Sequence, residues 1–178
     1  MDLQDFRSEA LYFDEPVMIE VTRLMAKASE AYAGGQAEAP LLEALLLAPE
    51  SLSVLVGLYR FYFYQHRYED ALTVAQRLMT LIAPRIEFPG HWTEVGQHAL
   101  ERGILCSLSL VRFYLLALKA AGYINLRLAR FEEGKHMLTK VASLDEADRL
   151  GARVLLDVLA DNQAEIVPFP IAARKLRG

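Results

Sequence analysis

At 178 residues the chain is sized for one domain or one short stack of repeats. Apolar residues make up 53% and aromatic residues 10%, enough side-chain surface to offset the entropy of ordering the chain, so global disorder is excluded. The net charge of −4 arises from 23 acidic and 19 basic residues interspersed along the sequence; this gives no broad positive field and argues against nucleic acid as a partner.

The first residues, Met-Asp-Leu-Gln-Asp-Phe-Arg-Ser-Glu, have neither a basic flank nor an apolar run, so no secretory leader is expected. Residues 1–15 carry Leu11, Tyr12 and Phe13 between acidic residues and are expected to form a short cap or to lie loose. Apolar residues then recur with helical period, whereas period-two alternation and Asn-Gly or Asp-Gly hairpin turns are scarce, which predicts an all-α fold. Helices are expected at 16–33, 39–48, 51–65, 68–82, 92–102, 104–129, 131–143 and 145–161, the last as a capping helix. Residues 90–167 contain no proline and read as helix. Within them Ile104, Leu108, Val111, Leu115, Leu118 and Gly122 follow steps of four and three and define a core-facing stripe. Arg112, Lys119, Arg127 and Arg130 punctuate this longest apolar candidate, so no membrane span and no membrane partner are expected. In the tail, 165–178, Val167-Pro168-Phe169-Pro170 should be extended, and Arg174, Lys175 and Arg177 form a solvated basic end or a short docking segment.

A 34-residue period runs through the sequence. Residues 52–85 contain Leu55, Leu58, Tyr59, Tyr62, Tyr68, Ala71, Ala75, Leu78 and Pro84, with Tyr68-Glu69-Asp70-Ala71-Leu72 as the clearest segment. One period earlier stand Val21, Leu24, Ala37 and Ala44, giving a unit at 18–51 that Pro49 closes. A third unit at 115–148 has Leu118, Ala121, Gly122, Phe131, Gly134, Leu138 and Val141, with Asn125 where an aromatic is usual. These units resemble the tetratricopeptide repeat family, interrupted by an irregular break near 86–114. The resemblance implies a stack of antiparallel helical hairpins, about seven or eight helices in all, whose A helices line a groove that binds a protein or peptide. It also implies that Gly122 and Gly134 mark the close approach of helices A and B. The family's clamp for chaperone tails needs Lys and Asn where this chain has Thr22, Ala26, Gly57, Leu116 and Ala120, so that activity is not implied.

In this register the groove-facing positions include Thr22, Ala26 and Ser29, then Ser53, Val56, Arg60, Phe63 and Tyr64, then Lys119, Tyr123 and Arg127. Arg60, Phe63, Tyr64, Lys119, Tyr123 and Arg127 are the candidate partner-binding residues; cations beside aromatics suit an acidic or carboxylate-bearing peptide with an apolar anchor. The run Tyr59-Arg60-Phe61-Tyr62-Phe63-Tyr64 surrounds a helix with aromatics, so at least half of it should be core.

No phosphate loop, His-Glu-x-x-His, paired cysteines or Gly-x-Ser-x-Gly occurs, so no catalytic residue, metal ligand or cofactor is assigned and the chain is read as a non-enzyme. A lone cysteine, Cys106, fits a reducing, cytoplasmic setting, and its neighbours Ile104, Leu105 and Leu108 make it a buried structural residue. Trp92 is either a plug at a helix start or an exposed partner anchor. The leading expectation is an adaptor or assembly factor. Alternatives are a secretion-type chaperone for an exported client and, resting on His91, His98 and Cys106, an accessory protein of a metabolic or metallocluster pathway. Self-association into a homodimer is a further option.

Overall fold

A computed structural model describes residues 18–164, without the side chains of 162–164. The expected N-terminal cap and the tail at 165–178 lie outside the described residues. Among these residues the fold is all-α: α1 (Ile19–Ala31), α2 (Glu38–Leu47), α3 (Leu52–Tyr64), α4 (Tyr68–Ile82), α5 (Gln97–Arg127), α6 (Phe131–Leu144) and α7 (Ala152–Ala164), with short 3-10 turns at Ala83–Ile86 and Trp92–Glu94. Each helix packs on the next in sequence, giving a stack of antiparallel hairpins with α7 against α6 at the end. Val21, Leu41, Leu52, Leu55, Leu58, Ile82, Leu118, Ile124, Leu138 and Val141 are buried along its whole length, so one continuous core runs through the hairpins.

Two of the hairpin turns are built alike. After α3, His66 adopts a left-handed conformation (φ 58°) and the Arg67 amide donates to the Tyr62 carbonyl at 2.9 Å. After α5, Ala129 does the same (φ 59°) and the Arg130 amide donates to the Asn125 carbonyl at 2.8 Å. Both bonds reach back five residues and close the helix ends whose carbonyls lack partners. The two arginines at these turns also act alike: Arg67 pairs with Glu38 at the start of α2 (2.7 Å), and Arg130 with Glu69 at the start of α4 (2.6 Å). Each turn thus reaches the first turn of the preceding hairpin's second helix. As exposed pairs they contribute at most about 1 kcal/mol each and act chiefly in register. Ala37, one period before Ala71, precedes α2, whereas Ala71 lies in the first turn of α4.

Several expectations are corrected. Residues 92–96 are a 3-10 turn and loop, so the helix expected at 92–102 starts at Gln97. Irregular backbone within 86–114 is confined to the segment before Gln97 and to Ser107, whose extended backbone (φ −165°, ψ 104°) breaks α5. Ser107 Oγ accepts a hydrogen bond from the Leu110 amide (3.3 Å), capping the second arm. Gly103 makes the bend sterically feasible, for a Cβ there would meet Phe88 Cε1 at 2.5 Å and Val111 Cγ2 at 3.1 Å. The bend leaves Ile104 (42%), Leu105 (87%) and Leu108 (55%) exposed, so the expected core stripe holds only from Val111 onward. Cys106 is exposed at the same corner, not buried.

The capping helix expected at 145–161 spans Ala152–Ala164. Ahead of it Asp145 Oδ2 accepts from the Leu150 amide (2.7 Å) and Asp148 Oδ1 from the Arg153 amide (3.1 Å), with Asp148 and Gly151 at φ 47° and 67°. Local carboxylate bonds to the backbone compete successfully with helix there. By length and composition α5 is apolar enough to cross a bilayer, contrary to expectation; in the stack its second arm is the central helix, flanked by α4 and α6.

Candidate functional site

The C-terminal ends of α1, α3 and α5 and the start of α4 meet in a band of aromatic rings. Tyr32, just past α1, packs edge-on against Phe61 (6.2 Å between centroids) and Tyr64 (6.4 Å). Phe63 is the hub: it stacks on Tyr59 (6.0 Å) one helical turn earlier and contacts Tyr64 (5.6 Å), Tyr68 (6.0 Å) and Tyr123 (6.1 Å). Such pairs contribute roughly 0.5–1.5 kcal/mol each beyond burial, so the rings stabilise one another's positions.

Arg127, one turn beyond Tyr123, lays its guanidinium 4.8 Å above the Tyr68 ring, and its Nη1 donates to Tyr123 Oη at 3.3 Å. The hydrogen bond that Arg127 donates to Tyr123 first, and then attraction to the phenolate forms of Tyr68 and Tyr123, raise the Arg127 pKa above its usual value. The side chain is exposed, and no described carboxylate pairs with it. Neighbouring arginines are different. Arg67 is held by Glu38 and Asp70 (2.7 Å each) and lies 4.5 Å over the Tyr62 ring, while Arg130 is held by Glu69.

Arg60 lies one turn before Tyr64 in α3 and near Tyr32. Burial raises the Tyr32 pKa, the Arg60 charge partly opposes this, and Tyr64 adds to it. The structure therefore brings together Phe63, Tyr64, Tyr123 and Arg127 in one chain of contacts, with Arg60 near Tyr32. Lys119 does not join them: its Nζ donates to the Leu150 carbonyl at 2.5 Å, tying α5 to the turn before α7. Of the expected Arg60/Lys119/Arg127 set, Lys119 is thus engaged by the Leu150 carbonyl and Arg127 by Tyr123 and Tyr68. Of the other groove positions, Thr22, Ala26 and Ser29 are exposed, Ser53 is half-buried and Val56 belongs to the core. Tyr32 and Tyr68 were outside the candidate set; their position flanking the hairpin turns, each an aromatic at a helix end, is the signal that marks them.

Trp92 is half-buried against the core, its ring edge-on to His136 (5.0 Å) and tilted against His91 (5.5 Å). Among the described residues no three His, Cys, Asp or Glu side chains gather closely enough to hold a metal ion, so His91, His98 and Cys106 do not form a ligand set.

No protein-family model matches the chain, and no solved structure matches it. It is 58% identical over 177 residues, 97% of each chain, to an uncharacterized 19.8 kDa protein in the nifW 5′ region of Azotobacter chroococcum mcd 1. At that identity and coverage the chain belongs to the family of this 19.8 kDa protein.

Proposed function

We propose that the chain is a tetratricopeptide-like adaptor or assembly factor that captures a protein segment on the aromatic band, with Arg127 receiving a carboxylate and Phe63 and Tyr64 an apolar anchor. The observation that carries this reading is Arg127 itself. It is an exposed guanidinium oriented by Tyr68 and Tyr123, without a described carboxylate partner, and the exposed Tyr64 packs on the same Phe63 that contacts Tyr68 and Tyr123. A cation held in place by aromatic groups loses little freedom on binding, which favours a charge-assisted bond to a partner. The repeated turns at His66 and Ala129 support a repeat architecture, and repeat stacks present extended surfaces for other chains.

The relative takes its name from a position 5′ of nifW, which supports seeking the partner among proteins encoded beside it. The test is capture from the native cell with the wild-type chain, Arg127→Glu, Tyr64→Ala and, as an off-site control, Lys27→Glu. A partner retained by the wild type and Lys27→Glu but lost with the two band variants is expected. A partner held equally by all four chains would overturn the site, and its identification decides whether it is a folded assembly component or an exported client.

A further inference from the structure

A second concavity opens on another side of the stack, between α4, α5, α6 and the turn at 90–92, with a volume of about 210 Å³. Helical spacing builds it: Gln76 and Met79 descend from α4, Glu133 and Met137 from α6, one turn apart, and Tyr114 comes from α5. Trp92 forms a wall, held between His91 and His136. The volume is below the roughly 300–1,000 Å³ of sites for drug-sized molecules, so it suits a small metabolite rather than a peptide.

Two polar groups in it have no partner among the described residues. Tyr114 is only 2% exposed and no described group hydrogen-bonds its hydroxyl; unlike the Tyr32 and Tyr59 hydroxyls, that oxygen is not fully enclosed, and the residue lines the cleft. Glu133 is exposed at the rim and forms no ion pair or hydrogen bond there. Among the described residues no lysine or arginine lines the cleft, and Lys140, farther along α6, donates to the Thr93 and Val95 carbonyls (2.9 and 3.1 Å). Formal charge at the opening is therefore negative, and the walls are an indole, a phenol and two thioethers, polarisable groups that favour a cation over an anion.

We propose that this cleft binds a small organic amine, its ammonium on the Glu133 carboxylate, its apolar body against Trp92, Met79 and Met137, and a polar atom on the Tyr114 hydroxyl. Trp92 is the only tryptophan in the chain, so its fluorescence reports occupancy directly.

The experiment titrates the full chain at pH 7.5 with butylamine and with phenethylamine, and with 2-phenylethanol and phenylacetate as neutral and anionic counterparts. At least one amine should give a saturable change in Trp92 emission below about 10 mM, with the alcohol about fivefold weaker and phenylacetate without effect. Glu133→Gln should weaken the amine about fivefold and Tyr114→Phe by a smaller factor, both with wild-type circular dichroism. No saturable response to either amine, equal response to amine and alcohol, or undiminished amine binding by Glu133→Gln would each overturn the proposal.

Discussion

Gly122 and Gly134 meet where α5 crosses α6: a Cβ on Gly134 would lie 2.8 Å from the Gly122 carbonyl oxygen, and one on Gly122 would lie 3.2 Å from the Gly134 carbonyl oxygen. The first distance is too short for any side chain, and the obstacle is backbone. Alanine normally gains about 1 kcal/mol over glycine inside a helix. Here the forced separation of the helices outweighs that gain, and Gly134→Ala is expected to lower stability by about 1–3 kcal/mol in urea denaturation. Gly122→Ala, with milder contacts, should cost less; the reverse order would contradict the packing described.

Asn125 is fully buried; its Nδ2 donates to the Ala121 carbonyl (3.1 Å), but its Oδ1 has no partner among the described residues. An unsatisfied buried acceptor costs roughly 1–3 kcal/mol, and leucine fills nearly the same volume without it. Asn125→Leu should therefore raise the urea midpoint, by about 1 kcal/mol in stability, with the denaturant slope unchanged. A lower midpoint would show that Oδ1 is satisfied in solution.

The hairpin at 52–82 and the Gly122/Gly134 contact were legible in the sequence because helical period, the Tyr68–Leu72 segment and small residues all point to the same packing. A break was expected at 103, between helices 92–102 and 104–129, and it lies at Ser107 instead, since Ile104, Leu108 and Val111 keep helical spacing through the bend and only the serine cap marks its position. Asp145 and Asp148 displaced the start of α7 in the same way, through side-chain bonds that periodicity does not register. At the site, spacing of four placed Tyr123 beside Arg127, but Lys119 on the same face was claimed by the Leu150 carbonyl, a contact with a distant part of the chain.

Burial pushes the Tyr114 phenol up to about 12. Its ionised form is disfavoured in the folded state, so this contribution is fully present below pH 10, the unfolded value, and is lost as pH rises through the folded value. Between pH 10 and 12 stability should fall on the order of 2 kcal/mol from this group. Tyr32 and Tyr62 are raised in the same direction, each chiefly by burial, and add to the slope. Comparing wild type with Tyr114→Phe by urea denaturation at pH 9 and pH 11.5 isolates Tyr114: the variant should lose less stability across the interval, and an identical loss would contradict the assignment.

In the proposed function Arg127, presented by Tyr68 and Tyr123, is the cationic receptor for a carboxylate of the partner. The most direct measurement is the affinity of the captured partner for the wild type and for Arg127→Glu, by titration calorimetry at two salt concentrations. Charge reversal should weaken binding by about tenfold or more and reduce its salt dependence, while the melting temperature changes little because the residue is exposed. Equal affinities for the two chains, with the same response to salt, would contradict it.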